Sequence, residues 1–345
     1  MVAITQKGIR ELSALFEKKY PHRKNVLADN FQEITTGWET KIFSFSIHFE
    51  AKGAAYSEDL ILRFYQGPQG TAQSKREYAV IKKVAQAGLP VPKVVLLVSD
   101  SSPFENPFVV MEKIDGPTMA AELDHASDKS KRSLIKQFTA PFVKLHQLSW
   151  NQVFASKSQS LRNIDDPLAY INSKLSEMRT LIDRFGLTEF EGHFRWLEER
   201  LEHGAVSRLS VLHNDYHPLN ILIRDEEGGL AIIDWSFAEV GDYRLDLAWS
   251  VLLLGVMAGE QYRDVMLASY EQLSGDRVEH FQYFEVLKFT QRTLTIATWL
   301  DDSVEIPVKK ITKAAIHNDY KVHILNPYRR LKEITGLSLN TIEAL

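Results

Sequence analysis

Three oxygen-bearing side chains stand at short intervals in a largely apolar stretch of the chain: Asp215 and Asn220 in VLHNDYHPLNILI, and Asp234 at the end of LAIID. NILI and LAIID read as two short strands joined by the turn DEEGG, so Asn220 opens a hairpin that Asp234 closes. Paired through so short a turn, these two residues are expected to be neighbours across the ladder. An amide oxygen beside a carboxylate suits a hard cation such as Mg2+, which takes few protein ligands and completes its shell with water and phosphate oxygens. Asp215, five residues before Asn220, can project toward the same spot without binding the metal. That is the place for a group that orients and deprotonates an attacking hydroxyl.

Other readings of the segment are weaker. Asp and Asn in loops most often bond their own backbone, but three of them converging on one hairpin between apolar strands lower that expectation. His213, Asp215 and His217 spell H-x-D-x-H, part of a metal-dependent hydrolase pattern. Such a site needs further His or Asp ligands at other strand ends, and Asp234 alone is evident. His213 follows Val211 and Leu212 and reads as a packed, hydrogen-bonded residue. The letters HNDY recur at 317–320, within a helical pattern in which Ile324 stands where the first copy has Asn220. No strand pair ending in Asp follows, so the echo repeats letters and not chemistry.

The elements that must position these residues change character near residue 115. Before it, QEITT, KIFSFSIHF, LILRFY, KVVLLV and PFVVMEKI are rich in β-branched and aromatic residues. One clear helix interrupts them at 72–87, closed by Gly88 and followed by Pro90 and Pro92. The first twenty residues read as a further, amphipathic helix. After residue 115 helical patterns dominate, among them 127–148, 165–186 and 188–204, the last with a capping box expected between Thr188 and Glu191. The pattern predicts an α+β chain of two lobes. Residues 1–114 would form a small β-rich lobe with one main helix, and 115–345 a larger helical lobe carrying the β-hairpin.

Composition narrows the chemistry. A chain of 345 residues, 44% hydrophobic, can bury a sizeable core. Its net charge of -4 and the lack of a Lys/Arg stripe argue against nucleic acid as a partner. The absence of cysteine removes disulfides, thiolate zinc sites and thiol nucleophiles, leaving oxygen and nitrogen as metal ligands. The N-terminal pattern lacks the apolar core of a signal peptide, and AWSVLLLGVMAG at 248–259 is too short to cross a membrane, which needs about 20 residues. A cytoplasmic protein without a membrane partner is expected.

The segments His213-Asn-Asp215-Tyr-His-Pro-Leu-Asn220, Ile233-Asp234-Trp235, Gly241-Asp242 and Asp246-Leu-Ala resemble the phosphotransferase family that includes aminoglycoside phosphotransferases, choline kinases and homoserine kinases. The resemblance spans about residues 30–255 and implies a protein-kinase-like fold binding ATP or GTP and Mg2+. It implies Asp215 as catalytic base, Asn220 and Asp234 as Mg2+ ligands, and Asp242 and Asp246 as braces of the catalytic loop.

A site of this kind also needs a cation on a strand for the nucleotide phosphates and an acid on a helix to hold that cation. Arg63 lies in the otherwise apolar LILRFY, so its guanidinium requires an anionic partner or a ligand phosphate. Glu77 shares a helix face with Ile81 and Val84 and could supply that partner; in the family, Arg often stands where protein kinases have Lys. MEKIDG, with Met111, Glu112 and Ile114, would be the connector whose backbone reads the purine, and Gly116 would let the chain bend. The chain departs from the family pattern at the glycine-rich loop, where TGWETK offers only Gly37.

The acceptor is expected to be a small molecule with a hydroxyl, because no activation segment follows Asp234 and DWSFAEVGDYRLDLAW leads straight into a helix. Glu239, Asp242, Trp299, Asp301 and Asp302 are acceptor-site candidates. Carboxylates beside an indole can hold an amine by charge and cation-π attraction of about 0.5 to 2 kcal/mol, which allows an aminoglycoside, a choline-like compound or an amino alcohol, although LDDSVE is more ordinarily a solvated acidic helix end and neutral sugars stay open. A catalytically silent nucleotide-binding module of the same fold is the other reading, disfavoured because Arg63, Asp215, Asn220 and Asp234 are all retained.

Overall fold

The computed structural model describes residues 4–34, 41–100, 102–154, 166–206, 208–224, 229–301 and 321–345, with 304, 312, 314 and 316. These form two units, Met1–Gly116 with Ile223–Ser236, and Pro117–Leu222 with Phe237–Leu345.

The first unit opens with the expected amphipathic helix, α1 (Gln6–Lys19), whose Thr5 hydroxyl accepts the Gly8 N–H at 3.1 Å. Leu12 and Phe16 are fully buried on its inner face. Strands β1 (Lys24–Ile34), β2 (Lys41–Ala51) and β3 (Ala54–Phe64) follow. In β2 the period of two is realised directly: Phe43, Phe45, Ile47 and Phe49 are buried and their neighbours are not. Helix α2 (Gly70–Gln86) leads to β4 (Val94–Val98) and β5 (Phe108–Glu112). The antiparallel sheet runs β1-β2-β3-β5-β4. Because β3 is paired on both sides, Arg63 lies opposite Ile42 of β2 and Val109 of β5 in the middle of the sheet. β1 begins at Lys24, well before QEITT; the polar KNVLADN carries little strand signal and is held by pairing with β2.

In the second unit, α3 (Met119–His125) and α4 (Asp128–Gln147) follow Gly116, whose φ of +138° only glycine adopts cheaply. Then come α5 (Ala169–Phe185) and α6 (Glu191–Glu198). The capping box expected at Thr188 does not form: Thr188–Phe190 is a 3-10 turn without a side-chain cap, and Glu191 instead binds Arg179 at 2.5 Å. An ion pair to a neighbouring helix satisfies that carboxylate better than the helix's own first N–H. Short strands β6 (Ser210–Leu212) and β9 (Glu239–Gly241) pair antiparallel in this unit. Between them in sequence lie β7 (Ile221–Ile223) and β8 (Leu230–Ile232), which form the predicted hairpin. The stretch 223–236 belongs with the first unit, which no local pattern announces.

Helices α7 (Tyr243–Ala258), α8 (Tyr262–Ser274), α9 (Phe281–Leu300), α10 (Lys321–Thr335) and α11 (Asn340–Glu343) complete the second unit. α7 is apolar on nearly every face and buried accordingly. Among the described residues no helix is long and apolar enough to cross a membrane. The repeated HNDY at 317–320 lies outside the described residues.

Phe16 is the largest fully buried side chain of α1 and packs edge-on against Phe45 at 6.5 Å. Phe16→Ala is expected to cost about 3–5 kcal/mol, read from urea unfolding. A loss below about 1 kcal/mol would show that α1 is not part of this core.

Candidate active site

In the first unit the sheet delivers Arg63 to a cluster of acids. Its Nη2 donates to Asp234 Oδ1 at 2.9 Å and to Ser236 Oγ at 2.7 Å, and its Nη1 lies 3.4 Å from Glu77 Oε1. The arginine is 7% exposed, so it could not remain charged in this strand without such partners. Burial works against its charge, but Glu77 and Asp234 outweigh that and hold the guanidinium above its ordinary pKa. The Arg63–Glu77 pairing expected from the strand and helix patterns is present, and Asp234 joins it.

Two members of this cluster escaped the sequence patterns. Tyr65, two residues beyond Arg63 and just past the end of β3, donates its hydroxyl to Glu77 Oε2 at 2.8 Å. Ser236 donates to Asp234 Oδ1 at 2.8 Å. Period two from Arg63 would have pointed to Tyr65; nothing local marks Ser236. Asp234 itself sits at φ +62°, a left-handed conformation that Asp tolerates better than most residues. The adjacent Trp235, fully buried, donates its indole N–H to Ile232 O at 3.0 Å and pins the turn.

Of the connector residues, Met111 is buried, and Glu112 spends its carboxylate on Arg224, at 2.7 Å, and on the Lys93 N–H, at 2.9 Å. The Glu112 and Lys113 N–H groups go to Lys93 O and Asp59 O, at 2.9 and 3.4 Å. The N–H of Ile114 has no partner among the described residues. Gly37 lies outside the described residues.

In the second unit β6 ends at Leu212 and releases the loop that carries Asp215. Asp246, fully buried in the first turn of α7, fastens that loop: its Oδ2 accepts the His213 N–H at 2.7 Å and its Oδ1 the Asn214 N–H at 2.9 Å. His146, also fully buried, backs the same carboxylate at 3.3 Å and meets the Tyr270 hydroxyl at 2.9 Å with its other ring nitrogen. His213 is buried too, and its Nδ1 accepts the Asp215 N–H at 3.3 Å. Asn214 takes φ +64°, which turns the chain so that Asp215 leaves the staple.

The Asp215 carboxylate is met by Asn220 Nδ2 at 3.0 Å and by His217 Nε2 at 3.4 Å. Burial acts to raise its pKa, but the His217 hydrogen bond and charge, His213 and the Trp249 indole together hold the carboxyl down at about 2. Asn220 also donates to Asp215 O at 2.9 Å. Its amide nitrogen is thus committed to the loop, which leaves the amide oxygen as its outward acceptor. That oxygen and the Asp234 carboxylate, each in its own unit, are the hard donors that a Mg2+ ion takes. Among the described residues no three His, Asp or Glu side chains converge as a metal site, so His213, Asp215 and His217 do not make the hydrolase arrangement.

The acceptor-site candidates fare differently. Asp242 is 1% exposed, caps α7 and binds Arg244 in a two-pronged ion pair, at 2.6 Å and 2.9 Å, so it braces and is not open to a ligand. Glu239 lies 4.0 Å from Lys174. Asp301 ends α9, its N–H on Thr298 O at 3.3 Å, and Asp302 lies outside the described residues. Trp299 has the Arg292 guanidinium over its ring at 5.7 Å. Cations, unremarked in the sequence, therefore stand where carboxylates were expected.

A mixed sheet-and-helix unit with a buried strand arginine, together with a helical unit bearing an H-x-D-x-x-x-x-N loop, defines a protein-kinase-like phosphotransferase. Residues 43–281 match the model of the phosphotransferase enzyme family, and the chain belongs to that family. That family is one of phosphotransferase enzymes. In fold it is similar to an aminoglycoside phosphotransferase-like protein of Ralstonia eutropha, with a TM-score of 0.64 at 15% identity, covering 97% of this chain and 98% of that one. The GDP complex of aminoglycoside 2'-phosphotransferase-IIIa gives 0.59 at 14% identity, over 96% and 99%. Over 179 residues the chain is 26% identical to mouse acyl-CoA dehydrogenase family member 10. That match covers 52% of this chain and only 16% of the mouse protein.

Removing the staple leaves one buried and one partly buried N–H group and a buried histidine without their acceptor. Asp246→Ala is expected to cost about 3–5 kcal/mol, against a smaller loss for Asp246→Asn, which keeps one acceptor oxygen. Equal losses in thermal unfolding would show that the carboxylate does not hold the loop. Asp215 has a depressed pKa, so the stability it contributes is present above its unfolded value near 3.8 and is lost as pH falls toward about 2. The stability gap between wild type and Asp215→Asn should accordingly be flat from pH 5 to pH 8 in urea melts. A gap that opens near pH 6 would contradict the low pKa.

Proposed function

We propose that this chain transfers the γ-phosphoryl group of ATP or GTP to the hydroxyl of a small molecule, with Asp215 receiving the proton. The observation that carries the reading is the setting of Asp215: a carboxylate at the end of a fastened loop, with Asn220 and His217 on it at 3.0 and 3.4 Å. In the reaction the acceptor oxygen forms a bond to Pγ as the bond from Pγ to the β-phosphate oxygen breaks. The hydroxyl proton passes to Asp215 and the nucleoside diphosphate leaves.

A carboxyl held near pKa 2 is a weak base toward an alcohol. It orients the hydroxyl through a hydrogen bond from the start and takes the proton only once the oxygen has begun to bond to phosphorus. Asn220 fixes the angle of the carboxylate. Arg63, already held between Glu77 and Asp234, supplies the positive charge for the nucleotide phosphates. Ile114 offers its free N–H to the purine, with the Met111 side chain beneath the strand end. Asn220 offers an amide oxygen and Asp234 a carboxylate of the kind that would hold Mg2+, and that ion would neutralise phosphate charge. Of the carboxylates expected to hold an amine-bearing acceptor, Asp242 is committed to Arg244 and Glu239 faces Lys174.

The test is Mg2+-dependent release of nucleoside diphosphate from ATP and GTP over a broad panel of hydroxyl compounds, with product masses confirmed. Asp215→Asn is expected to lower kcat by about 10^2- to 10^4-fold while nucleotide affinity stays within about twofold. Full turnover by that variant would remove Asp215 from the role. Nucleotide binding without transfer to any compound would favour a silent nucleotide-binding module.

A further inference from the structure

Helix α9 presents Lys288, Arg292 and Trp299 along one face, at intervals of four and seven residues. Trp249 projects from α7, which packs against α9. Lys288 Nζ lies 5.5 Å from the centre of the Trp249 ring, and the Arg292 guanidinium lies 5.7 Å from Trp249 and 5.7 Å from Trp299. The Trp249 indole also acts on the Asp215 carboxylate, and both cations feel the charge of Asp215. One indole thus touches the carboxylate that would take the acceptor's proton, two positive groups lie within reach of its charge, and the second indole stands on the far side of Arg292.

These cations are not balanced by the protein. Among the described residues neither makes an ion pair, and Arg292 Nε is buried without a hydrogen-bond partner. Burial lowers the pKa of both and outweighs the carboxylates that act in the opposite direction, Asp246, Glu239 and Asp215 on Lys288 and Asp215 on Arg292. The nearby carboxylates are engaged elsewhere: Glu239 faces Lys174 at 4.0 Å, and Asp246 holds two backbone N–H groups. Cation-π attraction of about 0.5 to 2 kcal/mol per contact offsets only part of the cost of burying such charges.

Deepening the phosphotransfer reading, on which it rests, we infer that the acceptor carries a compact anion, a carboxylate or a phosphate, besides its reacting hydroxyl, and that Lys288 and Arg292 bind this anion. The unpartnered edge of the Arg292 guanidinium matches the paired oxygens of either group. Trp249 and Trp299 supply apolar walls for the carbon chain between anion and hydroxyl. An ammonium compound would meet Lys288 and Arg292 with like charge and be disfavoured.

The experiment measures transfer from ATP and GTP by the full chain to five matched sets: hydroxycarboxylates, hydroxyalkyl and sugar phosphates, methyl esters of the same hydroxycarboxylates, neutral polyols, and amino alcohols with aminoglycosides. Turnover is expected on one or both anionic sets, which also decides between carboxylate and phosphate. Esterification of a hydroxycarboxylate substrate, or loss of the phosphate from a phosphorylated one, should lower kcat/KM by about 10- to 100-fold. Arg292→Gln and Lys288→Met should raise KM for the anionic substrate by about tenfold or more each and change kcat less, with Arg292→Lys recovering part of the loss. The uncharged analogue should be insensitive to these variants.

Preferred turnover of amines or neutral polyols overturns the inference and leaves the phosphotransfer reading intact. So does an anionic substrate whose KM is unmoved in both variants. If a variant fails to fold, the esters and dephosphorylated compounds decide the same point on wild-type protein. Transfer to no compound in any set, with nucleotide bound, overturns the phosphotransfer reading itself, and the inference with it.

Discussion

The Asp246 carboxylate is the constraint on which the helical unit's chemistry depends. A loop after a three-residue strand has no reason of its own to hold one shape, because its N–H groups are equally well served by water. Asp246 changes that by accepting two successive N–H groups, from His213 and Asn214, while sitting fully buried at the start of a helix. His146 and Tyr270 hold the carboxylate from behind. All of these partners but the half-buried Asn214 are buried, so a shift of the loop leaves polar atoms unsatisfied in a low-dielectric interior. Asp215 inherits its direction from that arrangement, and the second contact, from Asn220, fixes its angle.

The β-rich unit solves a different problem with the same means. A charged guanidinium in the centre strand of a sheet is tolerated only if counter-charges arrive from several elements. Glu77 comes from α2 and Asp234 with Ser236 from the segment after β8. The outcome is a dense set of opposite charges in one place.

Much of this was legible in the residues. The alternation in KIFSFSIHF specified a strand with one buried face, and Phe43 to Phe49 obey it. The isolated Arg63 demanded an anion, and Glu77 on the inner face of α2 supplied one. The spacing from Asp215 to Asn220 implied a shared loop, and the two side chains touch. What was not legible depends on distance along the chain. His146 and Tyr270 look like ordinary helix residues until Asp246, 100 and 24 positions away, is placed beside them. Thr188 and Glu191 formed a valid local capping pattern that lost to an ion pair with Arg179. Carboxylates draw attention to the acceptor end in the sequence, whereas nothing local singles out Lys288 and Arg292. Only the placement of Trp249 and Asp215 against them reveals a positive face.

The β-rich unit takes its last piece, 223–236, from the far side of a hundred-residue excursion through the helical unit. During synthesis the sheet and α2 are complete long before that piece leaves the ribosome. Arg63 then has Glu77 as its acid while Asp234 has yet to be made. The order of translation therefore separates synthesis of the sheet from completion of its charge cluster, and a nascent chain cut short before residue 234 carries all five strands of that sheet while its central arginine lacks one of its two acids.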